Sequence, residues 1–179
     1  MPVPPRRIVL VGVTGSGKST LAARIAESVG APYVAMDDLY WRPGWVKVPK
    51  EERAARYADL AAGERWVADA LPGAGRSALL DRADLVLALD YPRWLSLQRL
   101  LRRTARRVRS GESICNGNRE TVREVLSRRS ILVWHFQSFA EVRRQIALLE
   151  ATPTGPRVVR LTSQRATDAW LEDLRRSLS

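Results

Sequence analysis

Gly12-Val13-Thr14-Gly15-Ser16-Gly17-Lys18-Ser19 matches G-x-x-x-x-G-K-[ST] at every fixed position. An apolar run, Ile8-Val9-Leu10-Val11, precedes it and reads as a buried first strand together with Arg6 and Arg7. Behind it, Leu21, Ile25 and Val29 repeat at helical spacing until Gly30 ends the run, so Lys18 opens a helix. Strand, glycine-rich turn and helix are the context the pattern needs. The glycines let backbone N–H groups point at anionic oxygens, and the helix N-terminus adds its dipole and unpaired donors. In this arrangement Lys18 neutralises β- and γ-phosphate charge, and Ser19 offers a hydroxyl to Mg²⁺. Gly12, Thr14, Gly15, Ser16, Gly17, Lys18, Ser19 and Thr20 are the candidate nucleotide-binding set.

Outward from this loop, short apolar runs alternate with helical stretches, the pattern of an α/β parallel sheet. Further strands are expected at residues 33–36, 65–68, 84–89 and 157–161. Helices are expected at 50–62, from Pro92 to about Arg109, from Arg119 to about Glu150 with a break near Gln137-Ser138, and at 166–178. Trp94, Leu97, Leu101, Ala105 and Val108 form the apolar stripe of the third of these five helices, the first being the one at Lys18. Residues 38–49, 71–75 and 110–118 are rich in Gly, Pro or Asn and read as loops. No repeat or second-domain linker interrupts residues 1–179, so a single domain is expected.

The chain has 179 residues and a formal net charge of +11, from 30 Lys+Arg and 19 Asp+Glu. Residues 93–129 hold 11 of the basic groups and 3 of the acidic ones, so most of the excess sits in one segment. That excludes a uniformly basic nucleic-acid packaging coat. One cysteine, Cys115, allows no intrachain disulfide. No apolar run approaches membrane-spanning length, and the first residues lack a signal peptide's apolar centre. A cytoplasmic protein is the expectation.

Two carboxylates follow predicted strands: Asp69 after Trp66-Val67-Ala68, and Asp90 after Leu85–Leu89. Ligands of open parallel sheets bind beyond the carboxyl ends of the strands, so both lie at the correct edge to serve Mg²⁺. Either also reads as a turn or cap residue. Asp37 and Asp38 close the second predicted strand, where they could hold Mg²⁺, bind an acceptor or act as a base.

Taken together, the P-loop, Met36-Asp37-Asp38-Leu39-Tyr40-Trp41-Arg42-Pro43-Gly44-Trp45, Trp66–Asp69, Asp90-Tyr91-Pro92-Arg93-Trp94-Leu95, Asn116-Gly117-Asn118-Arg119-Glu120 and residues 157–163 resemble the nucleoside monophosphate kinase and shikimate kinase group of P-loop phosphotransferases. More closely they look like the adenylate-kinase-like bacterial proteins called topology modulation proteins. The resemblance covers nearly the whole chain. It implies a three-layer P-loop NTPase fold with a five-stranded parallel sheet of order 2-3-1-4-5 and a helical, Arg-rich lid at about 102–119. It also implies that Asp69 stands on the Mg²⁺ side and that the turn 161–165, with Ser163, borders the adenine. Such relatives usually carry Asp-Gly-Asn after strand three, where this chain has Asp69-Ala70-Leu71, a departure on the acceptor side.

Arg99, Arg102, Arg103, Arg106, Arg107 and Arg109 line one side of the helix that starts at Pro92, at spacings of three and four. Like charges so placed repel, and bound polyphosphate would offset the repulsion. Arg103, Arg106, Arg107 and Arg119 are the lid candidates. The rival reading of the stripe is a nucleic-acid contact, with Trp94 or Trp134 beside it. His135 reads as a core histidine, Cys115 as a non-nucleophilic lid-loop thiol, and Trp41 and Trp45 as staples or acceptor-stacking rings, with stapling favoured.

These residues predict an ATP- and Mg²⁺-dependent kinase for a small-molecule acceptor. Lys18, Asp37, Arg103, Arg107 and Arg119 are its catalytic candidates, Arg103 and Ser163 further nucleotide contacts, and Ser19 and Asp69 the metal-side pair. The alternatives are a P-loop ATPase or nucleotide-dependent switch that transfers to water or to nothing, and a nucleic-acid-associated regulator.

Overall fold

The computed structural model of the chain describes residues 5–69, 76–127 and 130–178. Ala70, Leu71, the predicted loop at 71–75, Arg128 and Arg129 lie outside the described residues.

Strand β1 (Arg7–Gly12) runs into the P-loop, and helix α1 (Lys18–Val29) leaves it. A short β2 (Tyr33–Val34) leads to α2 (Met36–Tyr40). Then β3 (Trp41–Arg42) and β4 (Val46–Lys47) form an antiparallel hairpin, followed by α3 (Lys50–Ala62). Next come β5 (Trp66–Asp69), α4 (Arg76–Arg82), β6 (Leu85–Leu89) and the long α5 (Arg93–Ser110). A second hairpin, β7 (Ser113–Ile114) with β8 (Asn118–Arg119), precedes α6 (Val122–Val125) and α7 (Ile131–Glu150). Strand β9 (Arg157–Leu161) and α8 (Gln164–Leu178) end the fold.

The main sheet has five parallel strands in the order β2-β5-β1-β6-β9. Counting its strands alone, that is the 2-3-1-4-5 order the resemblance implies. Alternation along β1 feeds two cores. Ile8 and Leu10 join Leu21, Ile25, Leu87 and Leu171 on the α1/α8 face. Val9 and Val11 join Leu79, Val86, Val142 and Ile146 on the α3/α4/α7 face. The two-residue period of a strand covered on both sides thus makes three layers.

Four expectations are corrected. Asp37 and Asp38 do not close a strand: β2 ends at Val34, and both sit in the first turn of α2. The region expected to be one helix from Arg119 holds β8, α6 and α7, and α7 runs unbroken through Gln137-Ser138. Its start is set at Ser130, whose side chain caps the Val133 N–H. The loop expected at 38–49 contains the end of α2 and the first hairpin. On α5 the predicted apolar stripe is not the buried face: Ser96, Leu100 and Thr104 are buried, while Trp94 is 66% and Leu101 47% exposed. The cause is the P-loop itself. A Cβ at Gly15 would lie 2.3 Å from the Ser96 carbonyl and 2.9 Å from Leu100, so α5 presses on the loop at a place where only glycine fits.

Candidate active site

The P-loop is shaped for an anion. Gly15 (φ 81°) and Gly17 (φ 94°) hold left-handed conformations that side chains disfavour. Gly17 caps α1 without any side-chain hydrogen bond, so the first-turn amides of α1 are left for a ligand. Lys18 Nζ donates to the Gly12 and Val13 carbonyls at 2.7 and 3.1 Å, which folds the ammonium back over the loop. Burial pushes the Lys18 ammonium down from its ordinary value, against the pull of Asp69 and Asp37. Ser16 is buried, Thr14 half-buried, and Ser19 and Thr20 are exposed at the mouth.

Asp69 closes the sheet side of the site. Its Oδ2 accepts from Ser19 Oγ at 2.5 Å and from Tyr33 Oη at 3.0 Å, and its Oδ1 accepts from the Met36 N–H at 3.0 Å. Three donors from α1, β2 and α2 therefore orient one carboxylate that is 7% exposed. The hard oxygens of Ser19 and Asp69, side by side at a phosphate loop, fit Mg²⁺, which needs only one or two protein ligands when phosphates supply the rest. Among the described residues no group of three or more His, Cys, Asp or Glu could hold a metal by itself.

Across the mouth lies a charged group supplied by α2, α5 and the second hairpin. Lys18, Asp37, Asp69 and Arg103 stand near enough for their charges to act on one another. Burial, then Asp69, push the Asp37 carboxyl above its usual range, against Lys18 and Arg103. Burial and neighbouring Arg107 lower Arg103. Arg107 Nη1 donates to Glu120 Oε1 at 3.1 Å, an ion pair that fixes the far half of α5 to the strand end after β8. The Nε atoms of Arg103 and Arg107 and Oε2 of Glu120 are buried without hydrogen-bond partners among the described residues. Burial raises the Cys115 thiol to about 12, so it is no thiolate.

The structure therefore brings together Gly12–Thr20, Asp37, Asp69, Arg103 and Arg107. Arg106 is exposed on α5, and Arg119 is exposed on β8 with its carbonyl accepting from Trp45 Nε1. Ser163 Oγ caps α8 by accepting from the Ala166 N–H. Asp90 follows Leu89, the partner of Gly12 in the sheet, and is no helix cap: Arg160 holds its Oδ2 and Arg143 its Oδ1. Trp41 and Trp45 meet edge to face at 5.7 Å and staple the first hairpin.

Four contributors escaped the sequence reading of the site. Arg99 reaches the Ser16 carbonyl and Gln164, linking the P-loop to the first residue of α8. Its signal was present, since it stands one turn before Arg103 on the same ridge. Tyr33 and Glu120 pair with partners 36 and 13 residues away, which no local pattern announces. His135, fully buried as expected of a core histidine, also places Nδ1 3.1 Å from the Thr14 carbonyl beneath the P-loop.

No protein-family model matches the chain, and no curated protein matches it. Solved structures do. A gluconokinase from Sinorhizobium meliloti 1021 is 21% identical, with 97% of this chain and 95% of that one covered at a TM-score of 0.52. A shikimate kinase from Acinetobacter baumannii, solved in complex with shikimate, is 18% identical, with 97% and 93% covered and a TM-score of 0.57. A shikimate kinase from Bacteroides thetaiotaomicron is 14% identical, with 97% and 98% covered and a TM-score of 0.55. A P-loop at the end of the central strand, a 2-3-1-4-5 parallel sheet and alignment over 97% of the chain with these enzymes give the chain the fold of the P-loop small-molecule kinases.

Proposed function

We propose that the chain is an ATP-dependent phosphotransferase whose acceptor is a small molecule bearing a hydroxyl group. The observation that carries this reading is the meeting of Lys18, Asp37, Asp69 and Arg103 at the mouth of one P-loop. Phosphoryl transfer is mostly positioning and charge stabilisation, and these groups supply both. Lys18 and the loop amides hold the β- and γ-phosphates, and Arg99 borders the nucleotide next to Gln164. Ser19 and Asp69 would hold Mg²⁺, which when bound neutralises phosphate charge. Arg103 and Arg107 face the transferring group, and Arg119 is the further lid candidate.

In the transfer, the acceptor oxygen bonds to the γ-phosphorus as the bond to the β-phosphate oxygen breaks. The acceptor proton passes to Asp37. A phosphate acceptor would need no base and would meet the repulsion of Asp37 and Asp38, so the carboxylates favour an alcohol. The gluconokinase and shikimate kinase likeness of the fold supports the same class. A compartment that supplies ATP, such as the cytoplasm, suits the activity.

The test is an ATP-consumption screen over small polyols and hydroxy acids, nucleosides and nucleoside monophosphates. One alcohol is expected to raise turnover at least about tenfold above ATP hydrolysis by water. Stimulation by a nucleoside monophosphate alone would remove the hydroxyl acceptor. Turnover indifferent to every acceptor would leave an ATPase.

A further inference from the structure

Two of the segments that carry the resemblance, around Trp41–Trp45 and Asn116–Asn118, are not used by the chemistry above. In the structure they bind each other. Asn118, 3% exposed, takes the Trp45 N–H on its Oδ1 at 2.7 Å, and its Nδ2 donates to the Arg42 carbonyl at 3.0 Å and the Cys115 carbonyl at 2.6 Å. Asn116 Nδ2 donates to the carbonyls of Asp38 and Trp41, both at 2.7 Å. The Trp45 indole N–H returns a bond to the Arg119 carbonyl at 3.3 Å. An amide side chain can donate and accept at once, which is why asparagine can bridge two backbones in this way.

A second observation is independent of those bonds. Among the described residues, the non-glycine residues at positive φ are Trp45 (58°), Cys115 (44°) and Asn116 (63°), and all of them lie in this contact. Such conformations persist only where surrounding contacts over-determine them. Gly44 and Gly117, also at positive φ, turn the two hairpins beside them.

We infer that Asn116 and Asn118 are positioning residues that lock the β7–β8 hairpin to the β3–β4 hairpin, so that lid and acceptor segment move over the site as one cover. The consequence is geometric. Asp38, held by Asn116, is next to the candidate base Asp37, while Glu120, two residues beyond Asn118, holds Arg107 of α5. One joint therefore sets the spacing between the base and the lid arginines. Nucleotide bound under the lid would order the acceptor segment before any acceptor arrives. The identity of the two substrates rests on the function proposed above; the mechanical joint does not.

Hydrogen exchange on the full-length protein tests it. Segments that open in one event exchange with one opening equilibrium. In the free wild-type protein, residues 41–47 and 113–119 are expected to show equal protection, within about twofold. Asn116→Ala, at an exposed position, is expected to speed exchange about tenfold in both segments while leaving β1 and β6 unchanged. Asn118→Ala does the same more strongly if it folds. ATP with Mg²⁺ is expected to slow both segments in the wild type, but only 113–119 in Asn116→Ala, a difference that a merely structural loop contact would not produce. Unequal protection in the free protein, acceleration of one segment alone, or ATP protection confined to 113–119 in the wild type would each overturn the joint. Should ATP protect nothing, the nucleotide reading fails, and the comparison in the free protein still decides the joint.

Discussion

Burial and the neighbouring Asp69 carboxylate raise the Asp37 carboxyl above its ordinary value, so its charged form is held at a cost to the fold. The folded state then binds this proton more tightly than the unfolded chain does. Stability falls as pH rises from the unfolded carboxylate value through the raised one, and the cost is complete above the raised value. Asp37→Asn removes the charge and is expected to stabilise the protein at pH 7 by on the order of 1 kcal/mol, read by denaturant unfolding. As the acceptor's base, the same residue predicts that kcat falls about 10²- to 10⁴-fold in that variant. It also places the acid limb of the wild-type pH profile above the usual carboxylate range. Unchanged kcat would remove Asp37 from the chemistry. Lys18, Ser19 and Asp69 were legible in the sequence because a local pattern and a strand end fix where they stand. Arg99, Tyr33 and Glu120 were not, because their roles arise from pairings that only the folded chain makes.

At the scale of the element, α5 sorts its arginines by face. Arg99, Arg103 and Arg107, four residues apart, form a half-buried ridge toward the site, whereas Arg102, Arg106 and Arg109 are exposed and enter no ion pair among the described residues. Like charges at helical spacing cost about 0.2–0.5 kcal/mol per pair. The double variant Arg102→Gln/Arg106→Gln should thus raise the melting temperature slightly while keeping kcat within about twofold. Arg103→Gln should lower kcat about 10²- to 10³-fold. Equal kinetic losses in both variants would mean that the ridge does not divide in this way. The sequence announced the helix and its arginines but misjudged the buried face. Periodicity weighs apolar side chains, and here the buried positions are set by how closely Ser96 and Leu100 approach Gly15. Strands β1 and β6 were read correctly because a strand covered on both faces must be apolar throughout its core. The short hairpins were missed because their residues are held by asparagine side chains rather than by an apolar pattern.

For the whole molecule, both cores lie against one sheet, whose strand β1 contributes to each. No helix among the described residues is long and apolar enough to cross a membrane. The two small hairpins have no core of their own and depend on each other and on α5. We propose a single domain, which predicts one cooperative unfolding transition, with far-ultraviolet circular dichroism and tryptophan fluorescence coinciding. Trp41 and Trp45 report on the hairpins and Trp66, fully buried on β5, reports on the sheet, so a lid that melted separately would split the two signals. Ligand binding should move the transition as a whole. ATP with Mg²⁺ at 100 times its dissociation constant adds about 2.7 kcal/mol. For a chain of this size that is an increase of about 5–10 °C in melting temperature. Lys18→Ala should abolish the increase at the same nucleotide concentration while leaving the transition cooperative, because among the described residues the Lys18 ammonium donates hydrogen bonds only to carbonyls of its own loop. A full shift retained in Lys18→Ala would mean that the nucleotide stabilises the molecule from somewhere other than the P-loop.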